Sequence, residues 1–380
     1  MSTPNGADRF FSKRAVYTLL LFFCGMILMP TAWTGDTGTA TGQWSGRTEL
    51  SRVPWDQKSL PGGGKVVYGT DDRIDVYQET DPDRLAWAAA TCALTDSYAL
   101  TNNGDGTYTL AAYAYEISGY PPCAGEPFAD QPTAAWCTGF KVGDDIIATA
   151  GHCIGEGDLS STRFVFGFDM QDATTPVLTF NADQIYTGTE IIAREYSSTH
   201  DFTIVRVDRP ITVAAALPLR TEGSVAVGTP VGVIGHPSGL PKKIAFGANT
   251  LVRDNSSRGY FTANTDDYAG NSGSPVFNAL DGVVEGILVR GNQDYNIEGS
   301  CFLSNVLPDN MVQSEEISKS VTFAAYVYGE GEIEDSCCGG ACECSPGMPT
   351  PEGLRRSLGD LLLIGASLMV LAAFGSRSRH

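Results

Sequence analysis

Between residues 100 and 310 the apolar residues come in short runs divided by Gly, Pro, Asn and Asp. The runs include YTLAAYAYEI, DDIIATA, RFVFGF, FTIVRV, TPVGVIGHP and GVVEGILVRG. Each alternates or stays apolar over the length of a strand, and none sustains a helical period. The chain supplies the turns with 43 Gly and 20 Pro. NNGDGT at 102–107 sets a hairpin-type turn between two such runs. Its Asn and Asp lack the spacing of an EF-hand loop, which favours a turn over a calcium site. No internal repeat is present. The pattern predicts an all-β chain built as a sandwich or as barrels.

Charge separates the body from the ends. Of a net charge of −19, the segment 66–328 holds 14 Lys and Arg against 33 Asp and Glu. Such a body stays dispersed and repels anionic surfaces, which excludes a duplex nucleic-acid binder. At 380 residues, and about 150 residues per domain, two or three domains are expected.

Both ends read as addresses. Arg9, Lys13 and Arg14 precede an apolar run from Ala15 to Met29, closed by Pro30. The run is short for a membrane span and suits a secretory signal, assigned to 1–35; a retained N-terminal anchor is the alternative. Residues 36–65 then form a propeptide or a linker. At the other end lie a Cys/Gly/Pro-rich linker (329–357), an apolar segment (358–376) and a basic tail (377–380). Arg377 and Arg379 suit the cytoplasmic end of a membrane segment. This arrangement resembles the three-part C-terminal sorting signals of Gram-negative bacteria. The resemblance implies a sorting peptidase as partner, membrane attachment until processing, and a body in the cell envelope or outside the cell. A plain tail anchor is the alternative.

Ten cysteines fit an oxidising compartment. Cys337, Cys338, Cys342 and Cys344 lie in the tail without paired zinc-ligand spacing. Cys92, Cys123, Cys137, Cys153 and Cys301 lie in the body.

Three segments carry chemistry: His152 in ATAGHC, Asp201 in THDFTIVRVD and Ser272 in GNSGSPVF. A serine nucleophile needs a base to take its proton and an acid to orient that base. Gly270 and Gly273 around Ser272 allow a sharp turn that aims N–H groups at a developing oxyanion. Of the other histidines in the body, His200 is expected at the surface, because it faces away from its neighbour Asp201 on an extended chain. His236, in GHPSGLPKK, reads as a loop residue.

In this order the motifs resemble those of the trypsin-like (chymotrypsin-fold) serine peptidases, over about residues 66–325. GNSGSPVF, together with VYGTDDR at 67–73, is similar to the bacterial V8-like, glutamyl endopeptidase branch. The resemblance implies two six-stranded antiparallel β-barrels with the site in the cleft between them. It implies His152 as base, Asp201 as orienting acid, Ser272 as nucleophile and the N–H groups of Gly270 and Ser272 as oxyanion hole. It also implies a Cys137–Cys153 disulfide beside the histidine, protein or peptide substrates, and no metal or cofactor. The pairing of Cys92, Cys123 and Cys301 stays open.

Activation and specificity depart from the relatives. Asn271 stands where animal trypsins carry the Asp that pairs with the new N-terminus. In the V8-like branch the new α-amine goes to the substrate pocket instead, and cleavage after Lys65 or Val66 would create one. The glutamyl pattern's pocket Thr and His are matched here by Asp267 and Leu288. Asp266 stands where trypsin carries its pocket acid. Two acids near one pocket favour Lys or Arg at P1 by charge complementarity. Arg290 is expected near the extended substrate strand, or in a salt bridge to Asp294 or Glu285. The expected function is a secreted or envelope-anchored serine endopeptidase. Its alternatives are a Glu-specific endopeptidase and a non-catalytic binding module on the same scaffold. A chaperone-protease would need a C-terminal peptide-binding domain, for which 329–380 leaves no room.

Overall fold

The computed structural model describes residues 66–311 and 314–329. The signal, the propeptide or linker, and the three tail segments beyond Gly329 lie outside the described residues.

Six antiparallel strands close a first barrel in the order Ile185–Tyr196, Asp201–Val207, Ile146–Thr149, Cys137–Lys141, Thr91–Asp96 and Thr162–Phe166. Their β-branched and aromatic residues suit a pleated, buried surface. Phe140, Ile147, Phe164, Phe202 and Ile204 meet inside, each fully or almost fully buried. Burial of each such side chain stabilises by roughly 1.5–3 kcal/mol.

A second sheet has eight strands, in the order Val252–Asp254, Tyr260–Ala263, Glu315–Lys319, Val284–Arg290, Pro275–Asn278, Val231–Gly235, Lys243–Ala245 and Arg73–Asp75. The first six close on one another through a bridge between Pro230 and Leu251. Val231 N donates to Thr250 O and Val252 N to Thr229 O, both at 3.0 Å. Val231, Val233, Phe261, Val276, Leu288 and Ile317 fill this ring. The all-β, two-barrel expectation is therefore the observed architecture.

The second barrel also takes in the start of the described chain. Val67–Tyr68 pairs in parallel with Val306–Leu307, and Arg73–Asp75 pairs with Lys243–Ala245. Lys243, buried, holds Asp75 at 2.6 Å and Gln131 at 2.7 Å. The α-helices among the described residues are Pro82–Ala89 and Ala324–Tyr328. Asp81 caps the first by accepting from Asp83 N at 2.9 Å, and Pro82 starts it. Its Trp87 stacks on Phe277 with ring centroids 4.9 Å apart. None of the described helices is long and apolar enough to cross a membrane; the expected segment 358–376 lies beyond them.

The NNGDGT hairpin joins Leu100–Asn102 to Thr107–Leu110. Among the described residues two disulfides form, Cys137–Cys153 and Cys123–Cys301. Cys92 is a buried free thiol, and burial pushes its pKa up.

Candidate active site

Neighbouring strands of the first barrel bring His152 and Asp201 together. Asp201 opens the strand Asp201–Val207, which pairs with Ile146–Thr149, the strand that leads into His152. The Asp201 carboxylate, 1% exposed, spans the histidine. Its Oδ1 accepts from the His152 backbone N at 3.0 Å, and its Oδ2 lies 2.9 Å from Nδ1. A carboxylate at Nδ1 favours the proton there and leaves Nε2 as the acceptor. The Tyr196 ring stands 6.1 Å from the imidazole.

The second barrel delivers Ser272 on the loop between Tyr260–Ala263 and Pro275–Asn278. Gly270 and Gly273 have φ of 94° and 91°, a region that favours glycine. A Cβ at Gly273 would lie 1.9 Å from Thr138 O, so the close approach also demands glycine. Thr138, on the first barrel, holds this loop. Its N donates to Ser272 O at 2.8 Å. Its Oγ1 donates to Gly270 O at 2.9 Å and accepts from His236 N at 3.0 Å. Cys137 precedes Thr138 and Cys153 follows His152, so their disulfide joins the strand that holds Ser272 to the histidine loop. Asn271 N donates to Tyr268 O and Gly273 N to Leu288 O, each at 2.9 Å. The Gly270 N–H makes no hydrogen bond among the described residues. Asn271 is buried beside Ser274, whose Oγ lies 3.4 Å from its Oδ1.

The other two described histidines stand apart from this pair. His200 Nδ1 lies 3.2 Å from Glu195 Oε2 at the surface, as expected. His236 is in a loop, as expected, and is completely buried. It stacks on Phe168 and turns Nδ1 to Leu240 O at 3.0 Å. Burial and the nearby Lys242 and Lys243 push its pKa well down, which keeps it neutral. One group of potential metal ligands stands out among the described residues: Cys137, His152 and Cys153. Its two sulfurs are bonded to each other and offer no thiolate.

Each of the four expected substrate contacts has neighbours within the chain. Asp266 is buried, and its two oxygens accept from Tyr68 N at 2.7 Å and Asp72 N at 2.8 Å. Burial raises its pKa to about 7. Leu288 lies in the core of the second barrel rather than on a pocket wall. Its register pairs it with Ile317. Arg290 pairs with Glu316 at 2.8 Å, not with Asp294 or Glu285, and reaches Ser197 O at 3.2 Å. It thereby ties the second barrel to the turn before Asp201. Asp294 accepts from Ala269 N, and Glu285 pairs with Arg220. Asp267 is fully buried; its Oδ2 accepts from Thr265 Oγ1 at 2.6 Å, and its backbone N donates to Val66 O at 3.3 Å.

Sequence reasoning missed Glu315 and Tyr68. Glu315 is fully buried on the strand next to Val284–Arg290. A Cβ at Gly291 would lie 1.3 Å from Glu315 Oε2, so the carboxylate packs directly on that glycine. Tyr68 OH donates to Glu315 Oε1 at 3.0 Å. Glu315 and Asp267 both raise the phenol's pKa, on top of burial, which puts the two acids around one ring.

Residues 137–287 match the trypsin-like peptidase domain. The matched interval holds His152, Asp201 and Ser272. No curated protein matches the chain in sequence. Among solved structures it is similar to a Glu endopeptidase in complex with MPD, at 17% identity, over 70% of this chain and 98% of that one, with a TM-score of 0.42. It is also similar to HBP, at 12% identity, over 66% and 94% of the two chains, with a TM-score of 0.39.

Proposed function

We propose that the chain is a secreted or envelope-anchored serine endopeptidase of the V8-like kind. The observation that carries this reading is the buried Asp201 carboxylate on His152 Nδ1, in the barrel that grips the Ser272 loop through Thr138. In this reading Ser272 Oγ attacks the scissile carbonyl while His152 Nε2 takes its proton. Asp201 holds the imidazole tautomer and stabilises the imidazolium. The oxyanion is received by the N–H groups of Gly270 and Ser272. His152 then returns the proton to the leaving amine, and water cleaves the acyl-enzyme by the same route. No metal or cofactor enters these steps.

Substrates are proteins or peptides with Lys or Arg at P1. The acids that support this preference are Asp267 and Glu315, whose negative charge gathers around the Tyr68 ring; Asp266 serves the amides of Tyr68 and Asp72. Cleavage after Lys65 would free the α-amine of Val66, whose carbonyl already lies on Asp267 N. That proximity supports a zymogen activated by processing at 65. Export through the N-terminal signal and retention through the C-terminal segment complete the reading.

A fluorophosphonate probe tests it. Labelling of the matured wild-type chain and none of Ser272→Ala is the expected result. An unlabelled wild-type chain would favour the non-catalytic binding module.

A further inference from the structure

We propose that Asp266 is a positioning residue that makes the segment 66–72 part of the substrate site; this rests on the endopeptidase reading. Asp266 lies six residues before Ser272, and its carboxylate takes a turn of the N-terminal segment. One oxygen receives Tyr68 N and the other Asp72 N, at 2.7 and 2.8 Å. Gly69, inside that turn, has φ 69°. Its N–H continues the pairing of Val67–Tyr68 with Val306–Leu307 by donating to Leu307 O at 2.8 Å.

The far end of Tyr68 meets Glu315 and Asn292. Its phenol donates to Glu315 and accepts from Asn292 Nδ2 at 2.9 Å. Asn292 N also reaches Glu315 Oε1, at 3.4 Å. Asn292 lies two residues beyond Val284–Arg290, the strand whose Ile287 pairs with Pro275 just after the serine loop. Tyr68 therefore joins Asp266 to the Asn292–Glu315 pair. Asp266 fixes its backbone on one side, and its hydroxyl fixes Asn292 and Glu315 on the other. Tyr68 is 2% exposed, so the span is packed throughout its length. Two N–H donors on one buried carboxylate form a specific seat that neither water nor a shorter side chain reproduces. When that seat is lost, Tyr68 no longer holds Asn292 and Glu315 in place, and substrate binding weakens while the chemistry of Ser272 is spared.

The test compares the full chain with its Asp266→Ala variant. Hydrogen exchange is read at the amides of Tyr68 and Asp72, and kcat, KM and P1 preference on a peptide library. Both amides are expected to exchange at least about tenfold faster in the variant, and KM to rise by about as much with a smaller change in kcat. The P1 preference is expected to persist. Loss of that preference with both amides still protected would overturn the proposal, because Asp266 would then meet substrate. If Asp266→Ala does not fold, Tyr68→Phe carries the test. It keeps the two backbone bonds and removes only the hydroxyl, so KM must rise while both amides stay protected; an unchanged KM overturns the proposal. A wild-type chain that cuts nothing and takes no fluorophosphonate overturns the endopeptidase reading instead. Exchange at Tyr68 and Asp72 then still decides whether Asp266 holds the segment.

Discussion

Replacing Asp201 with Asn changes one atom's chemistry at the centre of the site. The carboxylate makes two contacts with His152, one to the backbone N–H and one to Nδ1. Asn can still accept the backbone N–H through its oxygen. Its NH2 then faces Nδ1, a donor that needs an acceptor. The imidazole must place its proton on Nε2, where it cannot receive the proton of Ser272 Oγ. The positive charge that forms on His152 in the transition state also loses its counter-charge. A wrong tautomer of this kind costs about 10⁴ in kcat, or about 5.5 kcal/mol of transition-state stabilisation. Because Asp201 and Asn have nearly the same shape, KM and the near-ultraviolet spectrum should barely change. The assay is steady-state cleavage of a peptide substrate by the two matured chains. A variant within tenfold of wild-type kcat would refute the reasoning, since His152 would then not depend on Asp201 for its tautomer.

Removing the Cys137–Cys153 bridge with paired Ser substitutions frees a loop of 16 residues; by chain entropy this lowers stability by about 3 kcal/mol, read as a lower urea midpoint. Gly273→Ala forces a Cβ to within 1.9 Å of Thr138 O at a φ of 91°. A folded variant should label with fluorophosphonate at least about tenfold more slowly, and an unaltered labelling rate would contradict the geometry. The pKa of Asp266 is raised from 3.8 to about 7 by burial and by Asp71, against the pull of Arg73 and the two amides. The fold thus favours the neutral carboxyl, whose contribution is full below pH about 4 and is lost as pH rises through about 7. The gap corresponds to about 4 kcal/mol. The stability advantage of wild type over Asp266→Ala should shrink by up to that amount between pH 4 and 8; a constant or growing advantage would mean that the amides hold the carboxylate ionised.

What the sequence made legible follows from where the information sits. His152, Asp201 and Ser272 lie in short motifs whose neighbours set their local backbone, so the motifs single them out as candidates without any tertiary knowledge. The strand runs were equally local and gave an all-β chain, a sandwich or barrels; the two barrels came from the family resemblance. Asp266 was misread because its partners, Tyr68 and Asp72, are almost two hundred residues away and bind through backbone N–H groups that leave no side-chain signature. Glu315 sits in EEISK, where two adjacent acids on a strand must face opposite ways. Register alone decides that Glu316 takes Arg290 and Glu315 goes inward. Cys123–Cys301 spans 178 residues and could not be chosen from three candidates. The helix Pro82–Ala89 did leave a signal, Asp81 followed by Pro82, at a helix start.

The most direct test of the account is cleavage-site profiling of the matured chain on a mixed peptide library, with Ser272→Ala as control. The account predicts cuts after Lys and Arg that vanish in the control. Cuts that persist in Ser272→Ala, or no cuts by a matured wild-type chain, would contradict the assignment of Ser272 as nucleophile. Cuts after Glu would contradict the role given to Asp267 and Glu315.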